Sequence, residues 1–144
     1  MPNIETEKHI YDRVGGALSL DFANTLSNYL DKQTPTYDYL DSYTELFNFA
    51  QQMGIITPAQ EKKYIATAKA NPQVASAIGA KAKNLRTAIR LTLTSAGEGS
   101  APDPEALSTF NSELAEAMAH AQVSLIDGAY QWTFQPSGNL ESIL

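Results

Sequence analysis

At 144 residues, with 43% apolar and 18% charged residues, the chain has the size and composition of one globular domain with a core of its own, which excludes a disordered tail. Ten Lys and Arg against sixteen Asp and Glu give a formal charge of −6, so approach to a phosphate backbone is electrostatically disfavoured, and with it direct nucleic-acid binding by this segment. No cysteine is present, which removes disulfides, thiol nucleophiles and thiolate metal sites and suits a reducing compartment.

The opening run from Met1 to Lys8 is acidic and polar, whereas a signal peptide needs a basic stretch followed by an apolar one. No run of about 18 apolar residues follows, so no membrane partner and a cytoplasmic location are expected. Next, Leu18, Leu20 and Phe22 alternate with Ser19 and Asp21. This is the period of a half-buried strand, fed by a turn at Gly15-Gly16. From Asn28 to Asp38 the residues are polar and aperiodic, which reads as a surface loop with room to act as a lid.

Four helices are expected after the loop. Ser42 and Glu45 have capping-box spacing, with Tyr43, Leu46, Phe47, Ala50 and Met53 on one face and Gly54 as the stop. Thr57-Pro58-Ala59-Gln60 opens a second helix that ends before Asn71-Pro72. A third runs from about Pro72 to Thr94 with Val74, Ile78, Leu85, Ile89 and Leu93 on its apolar stripe, then gives way to a loop at Gly97 to Ser100. Asp103 and Pro104 start a fourth, whose buried face is Leu107, Phe110, Leu114, Ala117, Met118 and Ala121. Val123 to Ile126 and Tyr130 to Phe134 then flank Asp127-Gly128-Ala129 as a hairpin. A lone hairpin is marginal in water, so these strands are expected to join Leu18 to Phe22 in one sheet. The fold class that follows is α+β and mainly helical, about four helices packed with a small antiparallel sheet of about three strands. It forms a single domain over residues 1–144, and Asn139 to Leu144 reads as the start of a further helix cut short.

No catalytic constellation emerges. His9, in the polar lead, and His120, late on the fourth helix, lack a second ligand at metal spacing and read as surface residues, so no metal site is expected. No Gly-x-Ser-x-Gly turn is present. Gly15-Gly16 lacks the third glycine and following helix of a phosphate loop. Lys83, Arg86 and Arg90 share a sector of the third helix beside its apolar stripe. They form either a solvated flank or a contact for an anionic ligand, with Arg86 nearest the stripe. Asp21, Asn24 and Thr25 are the densest polar group in an apolar stretch, and they either tie the strand end to backbone or line a small-molecule pocket. Tyr29, Tyr37, Tyr39, Tyr43 and Trp132 supply stacking surface, core or rim.

The stretch from Gly15 through Ala17-Leu18-Ser19-Leu20-Asp21-Phe22-Ala23-Asn24-Thr25 to Leu26 resembles the opening of the CGNR zinc finger family, whose N-terminal ABATE domain is described as a stress-induced transcription regulator. Asp38 and Leu40, the stop at Gly54, Leu85-Arg86-Thr87-Ala88-Ile89, and Leu107 with Asn111 follow in matching order. The resemblance implies a bacterial regulator whose arginine-rich, cysteine-rich zinc ribbon lies beyond this chain. Zinc and DNA contact are then expected only in that C-terminal part, with no cofactor in this chain. Its implied role is a ligand-sensing or protein-interaction domain with an unidentified small molecule or protein as partner, and Asp21, Asn24, Thr25 and Arg86 are the candidate ligand-binding residues. Two other readings stand beside it: a small-molecule enzyme using Asp21 with Arg86, and a dimerisation module in which exposed aromatics form a self-complementary patch.

Overall fold

The structure is a computed structural model and describes residues 8–27, 33–135 and 144. The fold class is α+β and mainly helical, as expected, with five helices and two small antiparallel sheets among the described residues. The chain forms two compact units, Met1–Gly79 and Ala80–Leu144.

The first unit opens with a departure from the sequence pattern. Leu18–Ala23 is a helix, α1, and not a strand. The Ala17 carbonyl accepts N–H bonds from both Leu20 and Asp21 at 3.0 Å, which closes a helical turn. Five alternating residues could not decide the matter, because Leu18 and Phe22 are also four apart and lie on one side of a helix. Burial follows the helix: Asp21, Phe22 and Ala23 are buried in succession, while Leu18 and Leu20 are 48% and 37% exposed.

Beyond α1, β1 (Leu26–Ser27) pairs antiparallel with β2 (Tyr37–Asp38), Leu26 opposite Asp38 and Ser27 opposite Tyr37. The expected surface loop therefore ends in a short strand, and its segment 28–32 lies outside the described residues, as does any lid there. Helix α2 (Tyr43–Gln52) starts where Ser42 Oγ accepts from Glu45 N at 3.3 Å, and the chain turns away at Gly54, whose φ of +77° is open to glycine without strain. Helix α3 (Pro58–Ala70) has the complete capping box: Thr57 Oγ1 accepts from Gln60 N and Gln60 Oε1 accepts from Thr57 N. Phe22, Leu40, Leu46, Phe47, Phe49, Ile56, Tyr64 and Ile78 are the large apolar side chains buried in this unit. Phe47 lies at the centre, its ring 5.7 Å from that of Tyr64 and 6.2 Å from that of Tyr43.

Helix α4 (Pro72–Glu98) begins in the first unit and ends in the second. It runs one turn past the expected end, through Gly97, and only Gly99, with φ +64°, leaves helical geometry. Ile78, Leu85 and Ile89 of its stripe are buried, but Val74 and Leu93 near its ends are exposed. In the second unit, α5 (Pro104–Ala119) is capped by Asp103 as expected, its carboxylate accepting from Ala106 N at 2.8 Å. Its apolar face is not the buried one foreseen: Ala106 is the buried residue, Leu107 and Phe110 are half-buried, and Leu114 and Met118 are exposed. Lys81 of α4 bridges Glu113 and Glu116 of α5 at 3.3 and 3.1 Å.

His120 caps the C-terminus of α5, and Ala121 already belongs to the following strand. Strands β3 (Ala121–Ile126) and β4 (Ala129–Phe134) pair with Ile126 opposite Ala129. Asp127 (φ 50°) and Gly128 (φ 80°) form the two-residue turn, both left-handed as a type I′ turn requires. This hairpin does not join one sheet with the Leu18 region, which is helical; the two sheets are separate. The expected further helix from Asn139 falls mainly outside the described residues.

Truncation of a fully buried aromatic should cost far more than truncation of an exposed stripe residue. Phe47→Ala is expected to destabilise by about 3–5 kcal/mol and Leu114→Ala by about 0.5 kcal/mol or less, measured by urea denaturation; equal losses would contradict the burial described.

Candidate functional site

The polar residues of the Leu20 to Leu26 motif are drawn to the two ends of α1. Asp21 has no water-facing role: it is buried, and its Oδ1 accepts the Gly15 N–H at 2.8 Å. The loop before the helix is thus closed by a carboxylate in the first turn, where the free N–H groups and the helix dipole favour a negative charge. Gly15 fits the loop for lack of a side chain, since a Cβ there would lie 2.6 Å from Leu20 Cβ and 3.0 Å from Asp21 N and Oδ1. Thr25 is buried at the other end, its Oγ1 donating to the Phe22 carbonyl at 2.7 Å while its own carbonyl accepts from Tyr39 N at 2.9 Å. Asn24 is the C-cap, with an exposed side chain. The structure therefore gathers Asp21, Asn24 and Thr25 around one short helix, and Asp21 Oδ1 and Thr25 Oγ1 each bond to backbone.

Arg86 belongs to the second unit and is buried on α4, between half-buried Lys83 and Arg90. All three are engaged in further interactions. A buried guanidinium has lost its hydration and must be compensated by partners, so Arg86 is no part of a solvated flank.

A larger polar network in the first unit escaped the sequence reading. His9 is half-buried, not a surface residue: its ring stacks on Tyr39 at 4.4 Å and meets Tyr11 edge-on at 4.6 Å. The His9 carbonyl accepts from Asn48 Nδ2 at 3.1 Å and Gln52 Nε2 at 2.6 Å. Tyr11 N donates to Gln52 Oε1 at 3.0 Å, and its hydroxyl lies 2.9 Å from both Glu45 Oε2 and the Tyr39 carbonyl. Arg13 donates to the Gln52 carbonyl, and Lys8 pairs with buried Glu61 of α3 at 2.6 Å. The segment from Lys8 to Gly15 is thereby strapped across the unit by side chains rather than by regular structure. Glu45, Asn48 and Gln52 recur at i, i+3 and i+7, a polar stripe on α2 that was present in the sequence beside the apolar one.

Burial, the hydrogen bond to Glu45, and the nearby charges of Glu45, Asp41 and Asp38 together push the Tyr11 phenol well above its ordinary value. Because the folded state holds this proton more tightly than the unfolded chain, the contribution is complete below the ordinary tyrosine pKa of 10.0 and is lost as pH rises above it. Stability should therefore fall on raising pH beyond that value, and Tyr11→Phe should flatten that part of the pH profile measured by denaturant titration. An unchanged slope in the variant would show that Tyr11 is not the group responsible.

No group of three His, Cys, Asp or Glu residues placed to hold a metal occurs among the described residues, and no helix there is long and apolar enough to cross a membrane. No curated protein matches the chain, and no solved structure does. The family model ABATE, described as "Putative stress-induced transcription regulator", matches residues 16–140, from just before α1 to beyond the hairpin. A match over most of the chain identifies it: this protein belongs to the ABATE family.

Proposed function

We propose that this chain is the regulatory half of a bacterial transcription regulator, acting in the cytoplasm by binding a small molecule or protein and leaving DNA contact to a C-terminal zinc ribbon. Membership of the ABATE family, with the description quoted above, is the observation that carries the reading. The chemistry of the chain supports the division of labour. Sixteen acidic residues against ten basic ones give no cationic track for a phosphate backbone. Zinc-ribbon chemistry does not fit the residues present, because the sequence contains no cysteine and the described residues contain no ligand cluster.

Within this reading, Asn24 presents an exposed amide at the C-terminus of α1, whereas Asp21 and Thr25 hold that helix in place and would act on a ligand through its position. Arg86 is a candidate anion partner in the second unit. An enzyme reading would ask Asp21 to serve as base or nucleophile, and its engagement with Gly15 N argues for a structural task instead. The purified 144-residue protein, titrated against duplex DNA at moderate salt in a mobility-shift assay, is expected to leave the duplex unshifted. A shift with sequence preference would overturn the proposal by placing DNA recognition in this chain.

A further inference from the structure

The β3–β4 hairpin is inverted relative to what burial favours. Directly opposed residues in an antiparallel pair share a face, and residues two apart along a strand share it too. The register Ala121 to Phe134, Val123 to Trp132 and Leu125 to Tyr130 therefore places all six of these side chains on one face. The other face carries Gln122, Ser124, Gln131 and Thr133, with Ile126 and Ala129 beside the turn, and its polar side chains bond one another: Ser124 Oγ lies 2.7 Å from Thr133 Oγ1, and Gln135 Nε2 donates to Gln122 Oε1 at 3.0 Å. Ala121 on the apolar face and Ser124 and Thr133 on the other are partly covered, while Val123, Leu125, Tyr130, Trp132 and Phe134 are 58–80% exposed. A monomer rarely leaves so large a contiguous aromatic and aliphatic face in water, because burying each such side chain is favourable.

We propose that this face is the contact between two copies of the chain, related by a two-fold axis running along the strands. Such an axis lays the aromatic row of each copy, Tyr130, Trp132 and Phe134, on the aliphatic row of the other, Ala121, Val123 and Leu125. Large side chains then meet small ones, as in the packing of two sheets about 10 Å apart. Charge points to the same occupant. Asp127, in the turn, is the charged residue between Ala121 and Gln135, and because it lies at the tip of the hairpin, the apolar face itself meets its copy with no charged side chain inside the contact. A nucleic acid or a charged peptide would find nothing to pair with. At 150–250 Å² for each fully buried aromatic, the exposed fractions amount to on the order of 600 Å² per copy. Two copies would bury about 1,200 Å², the lower bound for a specific interface, so a reversible dimer is expected rather than an obligate one.

Trp132 is the sole tryptophan of the sequence and sits in the middle of this face, so its emission reports the contact directly. The full chain, followed by sedimentation and fluorescence from about 1 µM to 1 mM, is expected to pass from monomer to dimer with a blue shift of Trp132 emission over the same range. Val123→Lys, which retains the tryptophan, should remain monomeric with unshifted emission. Gln131→Lys on the polar face should dimerise as the parent does, and far-UV circular dichroism of both variants should match the parent. A parent that stays monomeric with constant emission at the highest concentration would overturn the proposal. So would a dimer that survives Val123→Lys or is lost equally in Gln131→Lys.

Discussion

The carboxylate of Asp21, accepting the N–H of Gly15 across six residues, is the contact on which the arrangement of the first unit depends. Helix α1 has only six residues and no side-chain cap at Ala17, so it lacks the local devices that start the other helices. The carboxylate supplies what is missing by closing the preceding loop onto the first turn, and the close approach leaves room at position 15 only for glycine. From that anchor the segment back to Lys8 runs over α2 and α3, where Tyr11, Arg13 and the His9 carbonyl meet Glu45, Asn48 and Gln52, and Lys8 meets Glu61. Short helix, loop and strap are thus one connected set of polar contacts lying on a core built around Phe47. The most specific part of the family resemblance coincides with this anchor, which gives the motif a structural reason independent of any ligand.

The second unit is held differently. Its helices are joined at the surface by Lys81 with Glu113 and Glu116, exposed or half-exposed pairs that contribute little energy each. Its hairpin is regular, with a two-residue turn matched to strand twist, yet no residue of β3 or β4 is buried. A hairpin of this kind gains its stability from whatever covers its apolar side.

What could be read from the sequence was what short-range chemistry decides. Ser42, Thr57-Pro58, Asp103-Pro104 and Gly54 fixed helix ends because a cap or a left-handed residue acts within four positions of itself. Asp127-Gly128 marked its turn for the same reason. The pattern at Leu18 to Phe22 misled because five residues fit either period, and the deciding bonds come from Ala17 and Gly15, outside the alternation. Leu114 and Met118 looked like core because a stripe shows which residues share a face but not whether anything lies against it. The strap was hidden more deeply, since Tyr11 and Glu45 are 34 positions apart. Among the candidate site residues, Asp21 and Thr25 stood out as polar groups in an apolar stretch, and both are buried with a side-chain bond to backbone.

Amide hydrogen exchange at Gly15 tests the central claim most directly, because that N–H has no helical or sheet partner and owes its protection to Asp21 alone. In the parent protein it should exchange markedly more slowly than an open loop amide, and in Asp21→Ala it should approach the open-chain rate while amides in the middle of α3 stay protected. A Gly15 amide that exchanges at the open-chain rate in the parent, or that remains protected without the carboxylate, would contradict the account of Asp21 as the anchor of the first unit.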